Sequence, residues 1–215
     1  MFKNRIQAGK KLAAKLKELN LENPVVVALP RGGIPVGAEV AKELSSPFDI
    51  LFVKKIPSPV DKELAIGSVS ENGLVFINKK TVDFLAFKGI NIDEDYIQQT
   101  AMEKIQEIAR KREKYNIEPI PLEGKDVIII DDGIATGASM YLASNTLVRD
   151  MPNSITIAAP VAPRDEEINK MLKSVSHHLI ILSKPEHFMS VGQWYEDFHQ
   201  LNDKEVKEYL KEIKN

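Results

Sequence analysis

The apolar positions along this chain fall into two alternating rhythms. Val25-Val26-Val27-Ala28-Leu29, Phe48-Asp49-Ile50-Leu51-Phe52-Val53 and Val127-Ile128-Ile129-Ile130 are short, nearly unbroken apolar runs, each ending at a polar turn. Such runs read as strands buried on both faces, the kind found inside parallel sheets. Two more are expected at Ser154–Ala162 and His178–Leu182. Between them the spacing becomes helical: Ile6, Leu12, Ala13, Leu16 and Leu19 in residues 5–20, then Val36–Leu44, Met140–Arg149 and Arg164–Lys173. Strand alternating with helix predicts an α/β fold built on a doubly wound, mostly parallel sheet.

One stretch interrupts that alternation. From residue 56 to about 118 the pattern predicts a hairpin over Glu63–Ile77, with Asn72-Gly73 as its turn, followed by a long polar helix over Asp93–Lys114. This is an insertion between sheet strands, large enough to form a flap or an oligomer contact such as that of a homodimer. The tail, from about 186 to 215, differs again and concentrates Phe188, Trp194, Tyr195 and Phe198. His177 and His178 are adjacent, so in a strand they point to opposite faces and cannot chelate together; both read as structural.

Bulk properties narrow the classes. A length of 215 residues suits one core carrying a lid, so residues 1–215 are expected to form one domain with its insertion and a small hood. A formal net charge of −2 with mixed signs gives no general pull toward nucleic acid or anionic membrane. The chain has no cysteine, which excludes disulfides and thiolate metal sites and fits a reducing compartment. A charged start, Met1-Phe2-Lys3-Asn4-Arg5, and the lack of any run long enough to span a bilayer complete the expectation of a cytoplasmic protein.

The chemistry gathers after the run at 127–130. Asp131 and Asp132 follow where the strand should end, then Gly133, Ala135, Thr136, Gly137, Ala138 and Ser139 lead into a helix. Such a turn aims backbone N–H groups at one point, and the helix N-terminus adds its positive end, which suits a phosphate monoester. The acidic pair needs another partner: vicinal sugar hydroxyls, a divalent metal, or both. A sugar phosphate satisfies both halves. At a strand end, outside the core, these carboxylates should be removable at little cost in stability. No Gly-Lys-Ser/Thr follows, so the turn is not a P-loop. Pro30-Arg31-Gly32-Gly33 repeats the strand–turn–helix setting and suggests a second anion site on the same sheet edge.

The central string resembles the signature of type I phosphoribosyltransferases. That resemblance implies Asp131 and Asp132 on the ribose hydroxyls, Gly133 and Ala135–Ser139 around the 5-phosphate, and Mg²⁺ held at the acidic pair, directly or indirectly. It implies that Arg31, Gly32 and Gly33 form the pyrophosphate loop, with a cis peptide at Pro30–Arg31. Lys54 and Lys55 match the cations before the mobile loop, with Lys55 catalytic and Lys54 on pyrophosphate, while Arg110 and Arg112 are candidate clamps in the lid. Phe-x-x-Val-Gly in the tail is similar to hypoxanthine-guanine phosphoribosyltransferases and places Phe188, Trp194 and Tyr195 at the acceptor. The implied partners are phosphoribosyl pyrophosphate and a small-molecule acceptor, a purine-like nitrogen heterocycle. A phosphoribosyl pyrophosphate-binding regulator without turnover, or a module for another sugar phosphate, are the alternatives.

Overall fold

The computed structural model describes residues 1–214. In chain order the elements begin with helix α1 (Arg5–Lys17), strand β1 (Pro24–Ala28), α2 (Gly33–Leu44), β2 (Phe48–Ile50), β3 (Val53–Pro57), β4 (Ala65–Ser70) and β5 (Val75–Ile77). They continue with α3 (Lys79–Phe87), α4 (Glu94–Tyr115), β6 (Asp126–Ile130), α5 (Ala138–Leu147), β7 (Ser154–Val161), α6 (Glu166–Lys173), β8 (His178–Ser183) and α7 (Asp203–Lys214). The chain divides into two compact units, one formed by Met1–Leu51 with the chain from Ile117 onward, the other by Phe52–Asn116.

The larger unit holds a five-stranded sheet in the order β2-β1-β6-β7-β8, every neighbouring pair parallel. Its central strands are buried because both faces are covered. Leu12 and Leu16 of α1 and Val36 and Val40 of α2 pack on Val26, Ile128 and Ile130, while α5 and α6 lie against β6, β7 and β8. The order carries the functional consequence. After β1 the chain turns to β2 on one side; after β6 it turns to β7 on the other. Strands β1 and β6 pair Ala28 with Ile130, so their carboxyl ends stop level with each other at the point where the winding reverses. In open α/β sheets that crevice is where ligands bind.

The smaller unit is an antiparallel sheet β3-β4-β5 with α3 and α4. Ile56, Ile66, Val69, Leu85 and Ala101 form its core. Gly73 takes a φ of 79°, the left-handed conformation that the Asn72-Gly73 turn requires.

Three elements depart from the sequence expectation. The run from Phe48 to Val53 is not one strand: β2 leaves the parallel sheet after Ile50, and Val53 opens β3, which pairs antiparallel with β4. Lys54 and Lys55 therefore sit within a strand of the smaller sheet, not at the end of a main-sheet strand. Helix α3 was not expected, because a nine-residue helix with Leu85 as its buried residue shows too little periodicity. Helix α7, in the tail for which no helix was expected, buries Val206 and Leu210 beneath a charged sequence. Among the described residues no helix is long and apolar enough to cross a membrane.

Candidate functional site

Both glycine-containing turns of the larger unit lie at that reversal point, and they touch. Leu29 N–H donates to the Ile130 carbonyl at 2.8 Å, carrying the β1–β6 pairing to the start of the loops. A Cβ on Gly33 would lie 2.7 Å from the Ile130 carbonyl oxygen and 2.9 Å from the Asp131 Cα; one on Gly32 would lie 1.9 Å from Asp132 Oδ2. Only glycine lets the Arg31-Gly32-Gly33 loop approach the acidic pair this closely. The Pro30–Arg31 peptide is cis, as the resemblance implied, and Arg31 is half-buried. The two glycine-containing loops are thus in direct contact.

Two helix N-termini open at this edge, α2 at Gly33 and α5 at Ala138. Gly137 caps α5 in the left-handed conformation, with a φ of 76°, and a Cβ there would press on Met171 Cε of α6 at 2.8 Å. Ala135, Thr136 and Ser139 are exposed on this turn. The first-turn N–H groups of a helix have no intrahelical acceptor, and such a turn can accommodate an anion.

The acidic pair divides into two unlike groups. Asp131 is half-buried and its Oδ1 accepts the Asp132 N–H at 2.8 Å. Asp132 is 9% exposed, and its Oδ2 accepts Arg5 Nε at 2.8 Å. Burial, reinforced by the Asp132 charge, pushes the Asp131 carboxyl well above the usual range. Burial also raises Asp132, and Arg5 opposes that shift. Arg5 further donates through Nη1 to the His199 carbonyl at 3.0 Å, and its Cζ stacks 3.9 Å from the centre of the Phe198 ring. Nothing in the pattern marked Arg5, which read as the first residue of a covering helix.

The tail closes around this centre. Phe2 N–H donates to the Trp194 carbonyl and Glu196 N–H to the Phe2 carbonyl, both at 2.8 Å, tying the two ends of the chain together. Tyr195 donates its hydroxyl to the Asp132 carbonyl at 2.5 Å, and a Cβ on Gly133 would lie 2.4 Å from Val191 Cγ1. The Tyr195 ring is 5% exposed, stacked on Phe198 with centroids 5.1 Å apart and tilted against Phe2 at 5.5 Å. It offers no open face to an acceptor, and burial pushes its hydroxyl far above the ordinary phenol range. Phe188 and Trp194 pack on the same cluster but stay half-buried. The Trp194 Nε1 is buried with no hydrogen-bond partner among the described residues.

The remaining expected cations belong to the smaller unit. Lys54 Nζ pairs with Glu107 Oε2 at 3.1 Å, and Arg112 Nη1 reaches both oxygens of Glu71 at 3.0 and 3.1 Å. Lys55 and Arg110 are exposed. An open cleft of about 830 Å³ in this unit is lined by Lys54, Lys55, Lys62 and Lys104 together with Tyr96 and Thr100. Among the described residues no three His, Cys, Asp or Glu side chains converge to hold a metal ion by themselves.

Comparison with known proteins adds three findings. A family model of the phosphoribosyl transferase domain matches residues 2–181. A candidate phosphoribosyl transferase of Mycobacterium tuberculosis strain H37Rv is 34% identical over 212 residues, which is 98% of this chain and 46% of that protein; its counterpart in strain CDC 1551 matches equally. The chain thus spans about half the length of these curated relatives. The crystal structure of TT1426 from Thermus thermophilus superposes with a TM-score of 0.81 at 34% identity, covering 99% of this chain and 98% of that one.

Proposed function

This chain belongs to the phosphoribosyl transferase domain family, and we propose from that premise that it binds phosphoribosyl pyrophosphate and transfers its ribose 5-phosphate to a nitrogen acceptor. The observation that carries this reading is the direct contact of two anion loops, one of them bearing a carboxylate pair, at the reversal point of the sheet. A monophosphate fills one loop; phosphoribosyl pyrophosphate fills both and presents ribose hydroxyls to Asp131 between them. Gly133 and Ala135–Ser139 would take the 5-phosphate, and Arg31 with Gly32 and Gly33 the pyrophosphate.

The acidic pair fits Mg²⁺. Both carboxyls are raised by burial and Asp131 also by its neighbour's charge, so the site favours an added positive charge. Mg²⁺ is usually held by one or two carboxylates plus ligand oxygens, not by an all-protein cage. Asp131 would hold it, and the ion would supply charge neutralisation of the leaving pyrophosphate. The chain's own residues do the rest: the acceptor nitrogen bonds to C1 of the ribose as the C1–pyrophosphate oxygen bond breaks, with both electrons leaving on pyrophosphate. Arg31 and the loop N–H groups stabilise that developing charge, and the loops hold the sugar in line. Of the expected cations in the smaller unit, Lys54 and Arg112 are held by Glu107 and Glu71, while Lys55 and Arg110 are exposed.

For the acceptor we assign a planar, purine-like heterocycle to Phe188 and Trp194. Support comes from the placement of their segment, which touches the acidic loop through Tyr195 and Val191. Stacking on one ring contributes ~1–3 kcal/mol. Pyrophosphate release measured across purines, pyrimidines and pyridine carboxylates tests the reading. The expected result is release with a purine, weakened about tenfold or more in Phe188→Ala or Trp194→Ala. Binding of phosphoribosyl pyrophosphate without release with any acceptor would instead support a regulator.

A further inference from the structure

We infer that Phe2 is a positioning residue for the acceptor: with Lys3 it fastens the segment that carries Phe188 and Trp194 in the arrangement that receives the acceptor ring. This rests on the acceptor reading above and deepens it, because it names the part of the chain that prepares the acceptor site before ligand arrives.

Residues 187–199 contain no helix or strand apart from the short 3₁₀ turn Gly192–Trp194. Within that turn Trp194 N–H donates to the Val191 carbonyl at 3.1 Å, and Tyr195 N–H to the Gly192 carbonyl at 3.2 Å. These bonds shape the turn without attaching it to anything. Among the described residues, every backbone-to-backbone hydrogen bond from this segment to the rest of the chain goes to Phe2 or Lys3. Phe2 N–H donates to the Trp194 carbonyl at 2.8 Å, the Phe2 carbonyl accepts Glu196 N–H at 2.8 Å, and the Lys3 carbonyl accepts Asp197 N–H at 2.9 Å. Trp194 is therefore held at both ends of its backbone, by the turn at its N–H and by Phe2 at its carbonyl. Side chains add the Tyr195 hydroxyl on the Asp132 carbonyl and Arg5 on the His199 carbonyl, both beyond Trp194 in sequence.

The Phe2 ring anchors those bonds. It is 6% exposed, tilted on the Tyr195 ring with centroids 5.5 Å apart, and has Lys11 Nζ 5.5 Å from its centre. It belongs to a buried cluster with Ala8 of α1 and Val161 of β7, against which Phe188, Val191 and Trp194 pack. The two rings assigned to the acceptor thus share one support, and both stay half-buried on it. An irregular segment with so few attachments opens easily. Removing the Phe2 ring leaves a void beneath it, and the backbone groups of residue 2 are no longer kept in register. A ligand that needs one arrangement of a segment loses affinity in proportion to the time that arrangement is absent, so a segment correctly placed about a tenth of the time binds about tenfold more weakly. The contacts among Gly32, Gly33, Asp131 and Asp132 do not involve Phe2, so phosphoribosyl pyrophosphate should be bound as before.

The test compares wild type, Phe2→Leu and Phe2→Ala. Pyrophosphate release is followed with hypoxanthine, guanine and adenine, and phosphoribosyl pyrophosphate binding with Mg²⁺ by calorimetry. Phe2→Ala should raise KM for the reacting purine about tenfold while the phosphoribosyl pyrophosphate Kd stays within about twofold of wild type. Phe2→Leu, which keeps apolar bulk, should show a smaller change of the same kind, and it decides the matter alone if Phe2→Ala fails to fold. Trp194 is the chain's single tryptophan, and its Nε1 is buried without a hydrogen-bond partner among the described residues. Loosening the segment lets water satisfy that donor. The ligand-free variants should therefore emit further to the red and be quenched more readily by acrylamide than wild type. A Phe2 that only stabilises the fold would lower the melting temperature and leave purine KM and Trp194 quenching as in wild type; that result overturns the inference, as does equal weakening of purine and phosphoribosyl pyrophosphate. Wild type that releases pyrophosphate with none of the three purines would refute the acceptor assignment, and Trp194 quenching in the ligand-free variants would still decide whether Phe2 holds the segment.

Discussion

Asp131→Asn is expected to raise the thermal midpoint of the ligand-free protein at pH 7 while removing its affinity for phosphoribosyl pyrophosphate. The Asp131 carboxyl is raised by burial and by the charge of Asp132. A carboxyl whose pKa is raised in the folded state contributes stability that is fully present below its unfolded pKa and lost as pH rises through the folded one. Ionising this acid as pH rises above the unfolded carboxylate value therefore costs the folded protein stability. Each unit by which the pKa exceeds its usual value costs about 1.4 kcal/mol. An amide of the same shape carries no charge and can donate to the neighbouring carboxylate. For a chain of this length about 1 kcal/mol moves the midpoint ~2–4 °C, so a gain of several degrees is expected. Thermal melts from pH 3 to pH 8 check the sign: the advantage of the variant should grow with pH and vanish near the unfolded carboxylate pKa. An advantage independent of pH would mean that charge is not its origin.

Asp132→Asn should behave in the opposite way. The neighbouring acid is 9% exposed and paired at 2.8 Å with an arginine that is 8% exposed. Removing one partner of a buried ion pair leaves the other charge without compensation, at a cost of about 3–5 kcal/mol. Arg5 retains its bond to the His199 carbonyl and its stacking on Phe198, so the low end applies, about 3 kcal/mol. That corresponds to a fall of roughly 6–12 °C in the melting midpoint. Two adjacent carboxylates would thus give stability changes of opposite sign under the same substitution. Equal small effects at both positions would show that the Arg5–Asp132 pair contributes little in solution.

The sequence placed both acids outside the core, and the structure corrects that for Asp132, which is 9% exposed and paired with Arg5. The sequence pattern placed Asp131 and Asp132 correctly at the end of a buried strand, because four consecutive β-branched residues have few other readings. It could not see Arg5, which lies in another helix and reaches Asp132 only through the tertiary fold. The loop partners were legible for the opposite reason: Gly32 and Gly33 recur in the same strand–turn–helix setting as the acidic turn, and that local pattern survives folding. The break between Ile50 and Val53 was not legible, since an apolar run that changes sheets looks the same as one that continues. Tyr195 shows the limit for aromatics. Composition marks a ring as available for stacking or for packing, and only its neighbours Phe2 and Phe198, with a hydroxyl bound to the Asp132 carbonyl, decide for packing.

Isothermal titration calorimetry of the intact protein with phosphoribosyl pyrophosphate and Mg²⁺ tests the central claim most directly, with ribose 5-phosphate as the second ligand and Asp131→Asn as the second protein. Wild type should bind phosphoribosyl pyrophosphate saturably and ribose 5-phosphate more weakly, because the latter fills one loop of the two. The folded Asp131→Asn protein should give no measurable heat. Equal affinity for the two ligands, or unchanged binding to Asp131→Asn, would contradict the assignment.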